Sequence, residues 1–104
     1  MKIAVATTDG INVDEHFGRA ETFQIYVITS EGPVKVEEVP VTPLSTGDRS
    51  HQFDAERFQT ITGAFKGCDR VYVAQIGERP AAELKKLKIK PVVFQGKISS
   101  ITSS

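Results

Sequence analysis

The hydrophobic period of this chain changes from that of strands to that of a helix between Val41 and Asp54, and this change most restricts the folds open to the chain. Up to Val41 the apolar residues follow strand patterns, with a buried run over Lys2 to Thr7 and alternation over 22–29 and 34–41. From Asp54 to Lys66 they recur three and four residues apart, which is typical of an amphipathic helix. Strands followed by helices predict an α/β domain whose helices pack on a sheet.

Three more segments complete the predicted order. We expect a buried strand over 71–76, a helix beginning near Pro80, and a short strand over 91–94. The inner face of that helix is predicted to hold Ala81, Leu84 and Leu87. The order is β-β-β-α-β-α-β, a meander followed by two crossover units, which should be right-handed and parallel. Residues 1–104 are therefore expected to form one domain with a mixed sheet, and this topology resembles ribonuclease H-like folds.

Composition excludes several classes of function. Lys plus Arg and Asp plus Glu number 13 each, whereas general nucleic-acid or membrane-surface binding needs an excess of basic residues. No apolar run is long enough to cross a bilayer, and the first residues lack a signal-peptide pattern, so we expect a cytoplasmic location. A single cysteine excludes an intramolecular disulfide.

Topology predicts which loops share one end of the sheet. In a meander the first and third strands run in the same direction. If the strand over 71–76 is parallel to them, the loops 8–21, 42–53 and 77–79 all lie at the end of the sheet where these strands finish. Ligands of open α/β sheets bind beyond the carboxyl ends of the strands. Both histidines, His16 and His51, fall at this end, and Cys68 falls at the opposite one.

The loop after the first strand holds the most unusual set of residues. Gly10 and Gly18 allow a ligand to approach the main chain, and the imidazole of His16 is a common ligand of transition metals. Arg19 offers donors suited to an anion, and the helix that begins near Pro80 directs free N–H groups to the same end. Together these residues predict a receptor for an anionic ligand that contains metal.

Simpler interpretations of the same residues stay open. A histidine beside Phe17 is commonly a packing or surface residue, and an arginine such as Arg19 is commonly solvated or paired with a carboxylate. His51 is interpretable as an ordinary loop residue, and Cys68, between Gly67 and Asp69, as a small buried side chain.

Motifs that mark enzymes are missing from the sequence. It has no phosphate-binding P-loop, no nucleophile elbow and no closed zinc-site spacing. A two-metal nuclease on this topology would need carboxylates on its central strands, and the segments 2–7 and 71–76 contain none. We therefore expect that the chain is not an enzyme.

Several segments together resemble the dinitrogenase iron–molybdenum cofactor biosynthesis family, the small cofactor carriers of nitrogenase assembly and their relatives. The matching segments cover nearly the whole chain: 1–7 with Asp9-Gly10, His16-Phe17-Gly18-Arg19-Ala20 followed by 23–26, 67–71, and Ile76-Gly77 with Leu84 and Ile89. The His-Phe-Gly-Arg-Ala element is the most specific of them.

The resemblance implies a ribonuclease H-like fold that binds iron–molybdenum cofactor, or an iron–sulfur precursor, as it passes between assembly and acceptor proteins. It assigns His16 as the metal ligand. Apart from the resemblance, His51 is a second candidate by residue type and Cys68 a weaker one. The expected binding residues are Gly10, His16, Phe17, Gly18, Arg19 and Gly77. A preassembled cluster brings its own sulfides, so one or two protein ligands suffice.

The alternative is a non-catalytic interaction or regulatory module that binds a partner protein or a small anion. We expect a monomer or a weak homodimer.

Overall fold

The computed structural model describes residues 1–41, 55–65 and 67–101, which form a mixed sheet with two helices. Two single turns of 3-10 helix, Phe17–Arg19 and Ile98–Ser100, accompany these elements. In chain order the strands and helices are β1 (Lys2–Ala6), β2 (Asn12–Val13), β3 (Thr22–Thr29), β4 (Gly32–Pro40), α1 (Ala55–Gly63), β5 (Arg70–Val73), α2 (Glu78–Lys86), β6 (Lys90–Val93) and β7 (Gly96–Lys97).

The main sheet has five strands in the order β4-β3-β1-β5-β6. β3 is antiparallel to both β1 and β4, whereas β1, β5 and β6 are parallel, which confirms the predicted direction of β5. Strands β2 and β7 pair with each other in a separate two-stranded sheet. The alternation pattern does not predict these two strands because each is only two residues long.

Each face of the main sheet has its own core, as alternation along the strands requires. On one face α1 and α2 cover Ala4, Phe23 and Val71, and the helices contribute Phe58, Ile61 and Leu84. On the other face Ile98 and Ile101 cover Ile3, Val5 and Tyr72. The polar C-terminal segment thus forms the 3-10 turn Ile98–Ser100, and Ile98 and the following Ile101 are buried against the sheet.

The structure corrects several predicted boundaries. Helix α1 ends at Gly63 rather than Lys66, and β5 ends at Val73 rather than Ile76. Helix α2 begins at Glu78, two residues before Pro80. The prediction that Leu87 lies on the inner face of α2 is wrong, because the helix ends before it and leaves the side chain 53% exposed.

The described residues contain no helix whose length and apolar content would let it cross a bilayer.

Candidate functional site

Two aspartates hold the loop that follows β1. The Asp9 carboxylate accepts hydrogen bonds from the backbone N–H groups of Ile11 and Asn12, both at 2.8 Å, and from the Asn12 amide at 3.0 Å. These bonds favour the charged carboxylate and lower its pKa to about 2. Asp14 accepts bonds from the backbone N–H and hydroxyl of Thr8, at 2.8 and 2.6 Å. Both side chains are exposed, yet each fixes the path of the loop toward His16.

The segment around His16 is fastened to the end of β5 as a short parallel bridge. The backbone N–H of Ala74 donates to the carbonyl of Glu15 at 2.9 Å, and that of Phe17 donates to the carbonyl of Gln75 at 2.8 Å. His16 and Gln75 therefore lie side by side. This pairing explains why β5 ends early, since its last residues leave β1 and bond to this loop.

Phe17 anchors the same segment from beneath. Its ring is fully buried and lies 5.7 Å from Phe23, 6.0 Å from Phe58 and 6.3 Å from Phe65, measured between ring centroids. Phe17, predicted among the binding residues, has no exposed surface and does not line the pocket beside His16. Its place in the core holds the neighbouring His16 at the surface.

His16 lines a small pocket of about 190 Å³ together with most of the residues predicted to act with it. The lining residues are His16, Gly18, Arg19, Gln75, Ile76 and Gly77. Gly77 is the N-cap of α2, so the first N–H groups of that helix and its positive dipole end lie at the pocket. An imidazole, a guanidinium and a helix N-terminus thus meet at one place.

A larger and more polar pocket of about 540 Å³ lies beside the first. Gly10 lines this second pocket, at a φ of 75°, and does not line the His16 pocket. Arg19 lines both pockets. Gln24, only 6% exposed, accepts a hydrogen bond from the Tyr26 hydroxyl at 2.6 Å and donates to Glu38 at 3.0 Å. The residues predicted to form one receptor therefore line two neighbouring pockets, and Gly10 lines a different pocket from His16.

The two other candidate ligands are not part of this pocket as the structure describes it. His51 lies outside the described residues. Cys68 lies at the opposite end of the sheet, where the backbone N–H of neighbouring Asp69 bonds to the carbonyl of Lys2 at 2.7 Å. Burial raises the pKa of the Cys68 thiol. The predicted separation of Cys68 from His16 is confirmed.

Gln75 and Ile76 also line the pocket, although no sequence motif indicates them as binding residues. Both were predicted as the end of a buried strand, although Gln75 is exposed and carries an amide beside His16. The signal in the sequence is the polar Gln75, which follows the four buried residues Val71 to Ala74 and indicates that the buried strand ends there.

The chemistry available at the pocket is that of a receptor for an anion with one metal-binding nitrogen. Arg19 forms no ion pair with another described residue, so its guanidinium can meet an anionic ligand. Across residues 1–41, 55–65 and 67–101, no three His, Cys, Asp or Glu side chains are grouped closely enough to hold a metal ion. A ligand held here through metal would bring most of its own coordination.

Comparison with known proteins gives a consistent match. The family model described as dinitrogenase iron-molybdenum cofactor matches residues 1–102. The FeMo cofactor biosynthesis protein NifB of Herbaspirillum seropedicae is 36% identical over 92 residues, which cover 88% of this chain and 17% of NifB. Protein NifX of Sinorhizobium fredii is 31% identical over 93 residues, which cover 88% of this chain and 58% of NifX. The chain thus spans less than two thirds of each of these relatives.

Solved structures agree on the architecture. The crystal structure of PH0822 superimposes with a TM-score of 0.68 at 25% identity, covering 97% of this chain and 84% of that one. The NMR structure of TM1290, a Thermotoga protein, gives a TM-score of 0.60 at 23% identity, covering 93% of this chain and 79% of that one, and supports the fold alone.

Proposed function

The chain belongs to the dinitrogenase iron-molybdenum cofactor family, and we propose that it binds an iron–molybdenum or iron–sulfur cluster as cargo during cofactor assembly or transfer. The names of NifB relatives as FeMo cofactor biosynthesis proteins support this role. In this proposal the chain is a carrier and not an enzyme. It receives the cluster from assembly proteins and passes it to acceptor proteins.

One observation carries the proposal: the pocket that brings His16 together with Arg19 and the N-terminus of α2. We assign the imidazole of His16 as the protein ligand to one metal of the cluster. The Arg19 guanidinium and the first N–H groups of α2 stabilise the negative charge of the cluster. Gly18 and Gly77 keep the main chain accessible, and Gln75 offers an additional amide donor.

The size of the pocket suits partial enclosure of such a cargo. Its volume of about 190 Å³ corresponds to roughly six water molecules at ~30 Å³ each. We infer that one end of a cluster enters the pocket and that the remainder faces solvent. Weak ligation through a single side chain, with most of the cargo open, favours release to an acceptor protein.

The finer fold assignment belongs to the same proposal. The strand order β4-β3-β1-β5-β6, with β1, β5 and β6 parallel, supports a ribonuclease H-like arrangement. The cytoplasmic location stays a prediction.

The test is an anaerobic titration of the purified protein with extracted iron–molybdenum cofactor, and separately with an iron–sulfur cluster. Visible absorption and bound metal after desalting are measured for the wild type, His16→Ala and His51→Ala. His51→Ala is the matched control, because it removes the only other imidazole of the chain. We expect stoichiometric uptake by the wild type and the control, and loss of uptake in His16→Ala.

Each other outcome points elsewhere. Equal uptake by wild type and His16→Ala would keep the carrier role and remove His16 as the ligand, and loss in His51→Ala would move the ligand to that residue. No uptake of either cluster by the wild type would contradict the carrier role and favour an interaction module. An Arg19→Gln variant that binds as tightly as the wild type would remove the guanidinium from the assigned site.

A further inference from the structure

The charges of this neutral chain are separated along its sequence. Residues 1–41 hold seven acidic and three basic side chains, a net charge of −4, whereas residues 67–101 hold three acidic and seven basic side chains, a net charge of +4. The first group forms β1 to β4, and the second forms β5, α2, β6 and β7. The sheet therefore has an acidic half and a basic half.

Four lysines concentrate the basic charge at the end of the molecule away from His16. Lys85 and Lys86 lie in the last turn of α2, Lys88 follows it, and Lys90 begins β6; all four are exposed. Lys86 pairs with Glu83 at 3.4 Å, and within the described part of the chain the other three form no ion pair. The helix dipole accounts for cations in the last turn of α2, but not for Lys90.

An apolar groove of about 380 Å³ lies beside these lysines, between the C-terminal ends of α1 and α2. The buried side chains of Phe65, Cys68 and Ile89 line it, and Leu87 forms one wall with half of its surface exposed. Leu87 is thus an exposed leucine at the edge of an apolar groove, and its neighbours in the chain, Lys86 and Lys88, are exposed cations. This is the composition of a protein-binding anchor, since interface centres are apolar and their rims are polar.

We propose that this groove and its lysine rim, formed by Lys85, Lys88 and Lys90, dock an acidic segment of a partner protein. An apolar side chain of that segment fills the groove beside Leu87, and its carboxylates meet the three lysines. Complementary charge sets the orientation and speeds association. Affinity for nucleic acid comes chiefly from neutralising phosphates, to which an apolar groove contributes nothing.

The position of the docking surface leaves the His16 pocket open. Gly77, at the start of α2, lines that pocket, whereas Leu87, at its end, lines the groove. Gly77 and Leu87 are ten residues apart along the axis of α2, a distance of about 15 Å at 1.5 Å per residue. A partner bound at the groove would thus leave the His16 pocket accessible, and the two sites can be tested separately.

The test uses the full chain and a short fluorescein-labelled peptide with two leucines, one helical turn apart, in a run of glutamates. Binding is measured by fluorescence anisotropy and mapped by amide NMR shifts. We expect shifts at 85–90 and around Cys68, and at least about tenfold weaker binding for Leu87→Ser and for Lys85→Glu with Lys88→Glu. Lys35→Glu and Val34→Ser, which alter exposed residues of β4, are the matched controls and should bind as the wild type does.

Four results would overturn the proposal. The first is no binding, and the second is equal weakening by the β4 controls. The third is equal affinity for a peptide in which serines replace the leucines, which would reduce the surface to a charge effect. The fourth is tighter binding of duplex DNA or of a second copy of the chain through the same residues, measured by anisotropy and by analytical ultracentrifugation. None of these results depends on cluster uptake.

Discussion

Replacing Lys88 by glycine should stabilise this protein, although it removes a charged side chain and adds no contact. Lys88 has a φ of 64° and is the only residue other than glycine with a positive φ among those described. Lys88 lies just after α2, at the helix end where a left-handed residue commonly stops a helix. Its backbone N–H donates to the carbonyl of Lys85, and the N–H of Ile89 donates to the carbonyl of Leu84, both at 3.0 Å. Glycine is the residue favoured at this position of a helix end.

The expected gain follows from three opposing effects. A left-handed conformation costs a residue with a β-carbon about 1–2 kcal/mol, which glycine avoids. Glycine loses about 0.5–1 kcal/mol more in conformational entropy on folding. Loss of a cation beyond the C-terminus of α2 costs about 0.3 kcal/mol. The net expectation is a gain of about 0.5 kcal/mol, or roughly 2–4 °C in melting temperature for a domain of this size.

Urea unfolding followed by circular dichroism measures the change, with two matched variants. Lys85→Gly removes the same charge three residues earlier, inside the helix, and should lose about 1 kcal/mol. Lys88→Ala removes the charge but keeps the strained φ, and should gain nothing. If Lys88→Gly and Lys85→Gly destabilise the protein equally, the argument from backbone conformation is wrong. Lys88→Gly should also weaken binding of the acidic peptide, so stability and docking would change in opposite directions.

Two further predictions concern the loop that presents His16. Phe17→Ala should lower the free energy of unfolding by about 3–5 kcal/mol, because a fully buried ring is removed. Urea unfolding measures this loss, with Phe94→Ala as the control, since the Phe94 ring is partly exposed. A loss no larger than that of Phe94→Ala would contradict the role of Phe17 as an anchor. The lowered pKa of Asp9, from 3.8 to about 2, means that its contribution to stability is complete above about pH 4 and lost as the pH falls toward 2. Asp9→Asn should abolish this part of the acid dependence in unfolding titrations, and a profile parallel to the wild type between pH 4 and 2 would refute the assignment.

Most of the main sheet is predictable from the sequence because its strands and helices have distinct hydrophobic periods. The limits of β3 agree with the predicted 22–29, and β5 is parallel to β1 as the crossover rule requires. Leu87 shows where this approach fails. Its spacing from Leu84 fits a helix face, but α2 ends at Lys86 and the Leu87 side chain is 53% exposed.

The candidate site was predictable in part. The loop position of His16, Gly18 and Arg19 and the nearby start of α2 follow from strand direction, and the structure brings them together with Gly77. Phe17 is adjacent to them in sequence, yet it begins the 3-10 turn Phe17–Arg19 with its ring fully buried, whereas His16 is partly exposed. Gln75 was missed because nothing local indicates that Gln75 pairs with His16.

By itself the sequence determines the local structure of this protein: the periods that define strands and helices, the direction of each strand, and the end of the sheet where His16 lies. Only the tertiary structure decides which residues share a surface. The bridge between His16 and Gln75 joins residues distant in the chain, and so does the apolar groove between the ends of α1 and α2. Gly10, only six residues before His16, lines a different pocket. The physical reason is that periodicity arises from neighbours within a few residues, whereas pockets form where separate segments pack together.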